Sequence, residues 1–278
     1  MRWLRRILVA LILFYAGLCA LLFLAQRSFL FPAPRAYVSP AEIGADFMTE
    51  IDVDTPAGTV TAWWVPPSSP DGEIVMVFHG NGSAAYSNTD IFRDLAEAGH
   101  GVWSVGYPGY PGRARERGRA SEAALAAAAE AQLNLLRQEH AKGRPINYYG
   151  TSLGSGVAAQ LAKANPPVRL FLDAPFHSTL DMARLRFPIF PVRLLMRDPF
   201  RSDLALAELD VPLFWIHGTS DRIVPIREGR RLYEGYQGPK RRLVIDGANH
   251  VNTWPLGGRE FVLEGMSGAQ GVQSINSP

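Results

Sequence analysis

The sequence predicts an α/β domain built on a mostly parallel sheet. Short apolar runs alternate with longer helical stretches along the chain, and most of the runs are apolar throughout. Strands of this kind are buried on both faces, as in a parallel sheet covered by helices. The 278 residues and the 47% hydrophobic content are enough for one full-size core, so no second large domain is expected.

The strands and helices follow one another in a regular order. Segments 47–55 and 59–65 flank a Pro-Ala-Gly turn and predict a hairpin at the start of the sheet. Six further strands are predicted at 74–78, 102–105, 146–149, 168–172, 213–216 and 243–245. Helices are predicted at 90–98, 119–139, 152–164, 227–236 and 254–264.

Segment 177–203 interrupts this alternation. It contains prolines at 188, 191 and 199 and five arginines, and it is too long for a simple crossover. An insertion at the carboxyl end of the sheet is expected to lie over the strand ends there as a small cap. A peripheral pair of helices with solvated arginines is the alternative.

The amino-terminal region predicts a membrane anchor over residues 1–26. Residues 7–25 carry no charge, and Arg2, Arg5 and Arg6 precede them. This length is close to the roughly 20 residues that cross a bilayer, and the basic residues place the amino terminus in the cytoplasm. The globular domain is then extracytoplasmic, on the periplasmic side if the source is bacterial. A cleaved signal peptide is the competing interpretation.

The anchor is followed by a predicted linker at 27–44, a globular domain at 45–264 and a disordered tail at 265–278.

The 28 basic and 26 acidic residues nearly cancel, so nucleic-acid binding is not expected, and a small-molecule or lipid-like partner fits better. Cys19 is the single cysteine and lies in the apolar segment, so the domain has no disulfide. The six histidines lack metal-ligand spacing, and neither a metal nor a cofactor is expected.

The strongest motif is Gly150-Thr151-Ser152-Leu153-Gly154, between a predicted strand and a predicted helix. A serine flanked by glycines at this junction is typical of a nucleophile elbow, whose sharp turn leaves no space for side chains at the glycine positions. The backbone N–H of Leu153 would face a developing oxyanion.

A serine nucleophile needs a base, and the base needs an acid to orient it. Asp221 and His250 each follow a later strand, and the order Ser152, Asp221, His250 is the one this architecture requires. Asp173 is the alternative acid and His177 the rival base.

The segment His79-Gly80-Asn81-Gly82 directly follows an early strand. Its glycines allow the backbone to approach a substrate closely, and the amide of Asn81 is expected to complete an oxyanion hole with that of Leu153.

With these motifs, the chain resembles the α/β-hydrolases, and within them the Bem46-like membrane-anchored serine hydrolases. The matching stretches are Gln26 to Pro32, the 79–82 loop, Tyr107-Pro108-Gly109-Tyr110, the 150–154 elbow, 217–225, and Asn249-His250. Gly106 and Pro108 stand where aspartate and arginine are frequent, and Asn249 stands where glycine is usual. The resemblance implies an eight-stranded sheet and substrate-binding roles for His79, Gly80, Tyr107 and Tyr110.

The expected activity is hydrolysis of a carboxylic ester or thioester through an acyl-enzyme, on lipid-like or acylated substrates. The alternatives are a serine peptidase of the same fold and a non-catalytic, membrane-tethered binding protein that keeps the fold.

Overall fold

The computed structural model describes residues 2–114 and 118–268. Its centre is an eight-stranded sheet in the order β1-β2-β4-β3-β5-β6-β7-β8. The strands are β1 (Thr49–Thr55), β2 (Gly58–Val65), β3 (Ile74–Phe78), β4 (Gly101–Ser104), β5 (Ile146–Thr151), β6 (Leu170–Asp173), β7 (Leu213–Gly218) and β8 (Lys240–Ile245).

The sheet is the α/β-hydrolase sheet that the sequence predicts. β1 pairs antiparallel with β2, and β2 pairs antiparallel with β4, whereas the pairings from β4 through β3 to β8 are parallel. The predicted hairpin and all six predicted parallel strands are confirmed to within two residues at most ends. β8 begins three residues earlier than predicted, because its first residues are the charged Lys240, Arg241 and Arg242, which do not extend the apolar run.

Helices cover both faces of the sheet. They are α1 (Arg2–Leu30), α2 (Thr89–Glu97), α3 (Glu122–Leu135), α4 (Leu153–Ala164), α5 (Thr179–Arg186), α6 (Val192–Leu195), α7 (Ser202–Leu206), α8 (Ile226–Gly235) and α9 (Arg259–Met266). The alanine-rich α3 begins at Ser121, whose hydroxyl accepts a hydrogen bond from the N–H of Ala124 at 3.1 Å.

Two apolar cores result, one on each face. One core includes residues from α3 and α4, among them Leu133 and Val157, packed against sheet residues such as Met76 and Tyr148. The other joins α2 and α9 to the opposite face. Because both faces are buried, the sheet is held rigidly and its carboxyl edge is a fixed platform.

The inserted segment 177–203 folds into α5 and α6 and ends as α7 begins. We call this segment the cap. The predicted anchor ends at 26, but α1 continues to Leu30 and its second half packs on the cap. At the other end of the domain, α9 continues two residues past the predicted boundary at 264, and residues 269–278 of the predicted tail lie outside the described residues.

Among the described residues, α1 is the one helix long and apolar enough to cross a membrane.

Candidate active site

Ser152 occupies the turn between β5 and α4, at the carboxyl edge of the sheet. Its backbone has φ 52° and ψ −120°, a conformation that strains any residue with a side chain. A Cβ on Gly154 would overlap the carbonyl oxygen of Phe78, and one on Gly150 would lie 2.6 Å from the carbonyl oxygen of Gly154. The two glycines of the motif are therefore required by the closeness of the surrounding backbone.

The turn is held by the neighbouring strand. The N–H of Ser152 donates to the carbonyl oxygen of Asp173 at 2.9 Å, which ties the elbow to the end of β6. Ser152 is 8% exposed, so its hydroxyl is nearly enclosed. A strained and enclosed serine at a strand end is the arrangement that presents a nucleophile.

Asp221 and His250 lie together after β7 and β8. Nδ1 of His250 lies 2.7 Å from Oδ2 of Asp221. An ionised carboxylate only accepts hydrogen bonds, so Nδ1 carries the proton and Nε2 is left as the basic nitrogen. This is the tautomer that a general base needs.

The loop after β7 keeps Asp221 ionised. Its Oδ1 accepts hydrogen bonds from the N–H groups of Ile223 at 2.8 Å and Val224 at 2.9 Å. Burial alone raises the pKa of the Asp221 carboxyl, but its hydrogen bonds with His217, His250 and the Val224 N–H outweigh burial and hold that pKa far below its usual value.

His217 is a member of this cluster that sequence reasoning missed. Its Nε2 lies 2.9 Å from the carbonyl oxygen of Val224 and 3.4 Å from Oδ2 of Asp221, and its side chain is fully buried. A carbonyl oxygen can only accept, so Nε2 of His217 carries a proton and faces the Asp221 carboxylate. Its contact with Asp221 depends on the path of the loop that follows β7, which the sequence does not specify.

The two alternative residues have other partners. Asp173 accepts hydrogen bonds from Tyr149 at 2.8 Å and Thr253 at 2.6 Å, and burial raises its pKa despite them. Nδ1 of His177 lies 2.8 Å from Oδ2 of Asp181, within the cap. Both residues are therefore engaged in contacts that do not involve the Asp221–His250 pair.

The loop that follows β3 rests on an aromatic cluster. The ring of His79 lies 4.1 Å from that of Tyr107 and 5.1 Å from that of Tyr110, measured between centroids. The Tyr107 hydroxyl donates to the carbonyl oxygen of His79 at 3.1 Å. Burial lowers the pKa of His79 to about 4, so its imidazole is neutral near pH 7.

These contacts give His79, Tyr107 and Tyr110 a role in supporting the loop, and their role in substrate binding stays a prediction. Gly80 lies directly against Ser152, since a Cβ placed on it would be 3.4 Å from the Cβ of Ser152. Asn81 comes next in the chain and is exposed.

The N–H of Leu153 is the first of helix α4 and therefore has no acceptor within the helix. Helix N-termini favour negative charge, which suits an oxyanion. Asn81 and Leu153 both line the same cavity as Ser152.

That cavity has a volume of about 370 Å³. Its floor is the serine, and its walls come from the cap and from the carboxyl-terminal part of α1, through largely apolar side chains. The size falls within the range of about 300–1,000 Å³ that is usual for small-molecule sites.

Within the described residues, the Ser152 hydroxyl forms no hydrogen bond to His250. Catalytic hydrogen bonds are often long before substrate binds. The described residues also contain no cluster of three or more histidine, cysteine, aspartate or glutamate side chains that could hold a metal ion.

Comparisons with known proteins agree with this architecture. Residues 69–197, just under half of the chain, match the family described as serine aminopeptidase, S33. The uncharacterized protein Rv2307c of Mycobacterium tuberculosis is 32% identical over 217 residues, which cover 76% of this chain and 75% of that protein.

Solved structures show the same fold. An α/β-hydrolase from Vibrio vulnificus superposes with a TM-score of 0.69 at 21% identity, covering 87% of this chain and 92% of its own. The Pyrococcus furiosus esterase Pf2001 superposes with a TM-score of 0.67 at 19% identity, covering 87% of this chain and 97% of its own.

The architecture and these matches show that the chain has the α/β-hydrolase fold. Within that class, the chain belongs to the family that includes Rv2307c.

Proposed function

We propose that the protein is a serine hydrolase that cleaves carboxylic ester or thioester bonds with Ser152 as nucleophile, His250 as base and Asp221 as orienting acid. The observation that supports this proposal best is the 2.7 Å contact between His250 and Asp221, at the same sheet edge as the strained Ser152 turn. Ser152, Asp221 and His250 each follow a separate parallel strand, β5, β7 and β8, and these three residue types are the ones that an acyl-transfer site uses, which supports the proposal.

The chemistry follows from the protonation states. Nε2 of His250 removes the hydroxyl proton as Ser152 attacks the carbonyl carbon, and the resulting imidazolium is stabilised by the Asp221 carboxylate. The N–H groups of Leu153 and Asn81 stabilise the oxyanion. The imidazolium then protonates the leaving alcohol or thiol, and water, deprotonated by the same imidazole, releases the acid from the acyl-enzyme.

The proposal includes attachment to a membrane through α1. Its apolar length and the preceding arginines support a single span with the amino terminus in the cytoplasm and the hydrolase domain on the other side. The combination of a single span with this fold supports placement in the Bem46-like group.

A peptidase is the second candidate, because the matching family carries the description serine aminopeptidase. An aminopeptidase must bind a substrate ammonium group, for which a carboxylate is the natural partner. The described lining of the cavity contains Arg186 and no aspartate or glutamate. This lining favours an acyl ester over a peptide with a free amino terminus.

The test compares the full-length protein in lipid nanodiscs with its Ser152→Ala and His250→Gln variants on p-nitrophenyl esters and on alanine p-nitroanilide. We expect ester hydrolysis by the wild type and a loss of at least about a thousandfold in kcat for each variant, since members of such a unit fail together. Circular dichroism checks that the variants are folded.

Wild-type turnover by a Ser152→Ala protein would refute the proposed nucleophile. Faster cleavage of the anilide than of the esters would favour the peptidase.

A further inference from the structure

The helix that the sequence marks as an anchor also forms part of the candidate site. Leu22, Gln26 and Leu30 lie on one face of α1 at four-residue spacing, and all three line the cavity above Ser152. The opposite face, with Leu21 61% exposed and Leu24 74% exposed, points away from the domain. A simple tether would not need an inward face.

A set of polar contacts fixes α1 against the cap. Arg27 donates from Nε to Asp198 at 2.7 Å and from Nη2 at 3.0 Å. Gln26 donates to the carbonyl oxygen of Leu195 at 2.9 Å and accepts from the N–H of Arg197 at 2.8 Å. Four hydrogen bonds thus hold α1 in one position relative to the cap, so the wall it supplies is built into the fold.

The contact extends to the middle of the helix. The Tyr15 hydroxyl donates to the carbonyl oxygen of Ile189 at 2.7 Å, and its ring stacks on Phe190 with a centroid distance of 5.8 Å. Tyr15 precedes Leu30 by a rise of roughly 22 Å at 1.5 Å per residue. If residues 7–25 span the bilayer, the outer end of the cap lies at the depth of the hydrocarbon.

The surface of the cap matches that position. Ile189 is 73% exposed and Leu194 is 83% exposed, beside the half-exposed Leu185 and Phe187. Large apolar side chains that cluster on a surface mark contact with another apolar phase. Here that apolar phase is the bilayer hydrocarbon around α1.

The walls of the cavity beside α1 and the cap are largely apolar. The cap contributes Met182, Phe187 and Phe190, and α1 contributes Leu22 opposite them. Ser152 lies at the base of this apolar space. A carbonyl carbon attacked by Ser152 would therefore have its hydrocarbon chain directed between α1 and the cap.

We infer that α1 and the cap together form an acyl-chain subsite, and that the substrate is an acyl lipid ester drawn from the leaflet beside α1. The inference rests on the proposed esterase function and adds the substrate class to it. The acyl chain passes from the leaflet into the cavity without crossing water, which removes the cost of exposing it.

The test fills the subsite from the α1 side. Leu22→Trp is compared with Leu24→Trp, the same substitution on the outward face of the same helix. For each full-length protein in nanodiscs, kcat/KM is measured on p-nitrophenyl octanoate and p-nitrophenyl acetate, and the ratio of the two values is the readout. Excluding two methylenes from the subsite should lower that ratio about tenfold for Leu22→Trp, with the ratio of Leu24→Trp unchanged.

A second pair of variants covers a failure of Leu22→Trp to fold. Met182→Trp fills the cavity from the cap, and Leu185→Trp places the same side chain on the exposed face of α5. Met182→Trp is expected to lower the octanoate preference as well, and Leu185→Trp is not.

The outcomes separate the two proposals. If each filling variant keeps the same ratio as its control while Ser152 reacts with a fluorophosphonate, α1 is only a tether and the subsite is refuted, with the esterase proposal intact. If the wild type hydrolyses neither ester and Ser152 does not react, the esterase proposal fails and the subsite fails with it.

Discussion

The two residues of the Arg27–Asp198 ion pair differ in burial, so replacing one is expected to cost more stability than replacing the other. The Asp198 side chain is 3% exposed, whereas that of Arg27 is 36% exposed. Arg27→Met leaves a buried carboxylate with the N–H of Glu122 at 2.9 Å as its remaining side-chain hydrogen bond. Removing one partner of a buried pair costs about 3–5 kcal/mol.

The reciprocal change is expected to cost less. Asp198→Asn keeps an oxygen that accepts from the Glu122 N–H, and water can solvate the guanidinium of Arg27. The expected loss is about 1 kcal/mol. At about 2–4 °C per kcal/mol for a domain of this size, Arg27→Met should lower Tm by at least about 6 °C and Asp198→Asn by about 2–4 °C.

The assay is thermal unfolding in nanodiscs, followed by near-UV circular dichroism and completed by the double variant. Combining Arg27→Met with Asp198→Asn removes the uncompensated charge, so the double variant should be more stable than Arg27→Met alone. Equal effects of the two single changes that simply add in the double variant would contradict this prediction, because the effects of independent sites add and those of coupled sites do not.

Three further results are expected. Gly154→Ala should destabilise the protein by about 1–3 kcal/mol or more, because the added methyl group meets a backbone carbonyl oxygen. Gly235→Ala, which lies in open space within α8, should instead stabilise the protein by about 0.5–1 kcal/mol. Chemical denaturation measures the sign of each change in the free energy of unfolding. His79 has a pKa of about 4 in the folded protein against about 6.5 in the unfolded chain. Between these values the unfolded chain binds a proton that the folded protein does not, so about 3 kcal/mol of stability is lost as pH falls from 6.5 to 4. Tm measured against pH should fall less steeply for His79→Gln than for the wild type, and equal slopes would contradict the assignment. With Cys19 replaced by serine, a polarity-sensitive fluorophore on Leu194→Cys should shift to the blue in nanodiscs and be quenched by lipids carrying quenchers in their chains, and an emission typical of water would contradict insertion of the cap.

Much of the scaffold was predictable because local chemistry decides it. The parallel strands are continuous apolar runs between helices, and the elbow needs glycine where neighbouring backbone leaves no space. The order of Ser152, Asp221 and His250 along the chain pointed to the carboxyl edge of the sheet, and the structure brings Asp221 and His250 into contact there.

The relation between α1 and the cap was not predictable from the sequence. Arg27 and Asp198 are 171 residues apart, and no local pattern links them. Residues 7–25 carry no charge on any face of α1, so the sequence does not show that the face with Leu22 lines the cavity. The predicted anchor ends at 26, whereas α1 continues to Leu30 and contacts the cap from Tyr15 onward.

The role of His217 was hidden for a similar reason. It lies near the end of β7, four residues before Asp221. Its nearness to the Asp221 carboxylate arises because residues 219–224 turn back on the strand, with two backbone N–H groups directed at the same carboxylate.

The most direct measurement of the central claim is the site of covalent labelling by a fluorophosphonate, located by peptide mass spectrometry on the full-length protein. A single adduct on the hydroxyl of Ser152 is expected, formed at a rate that falls at least about a thousandfold in a folded His250→Gln variant. An adduct on another residue, or equal labelling of both proteins, would contradict it.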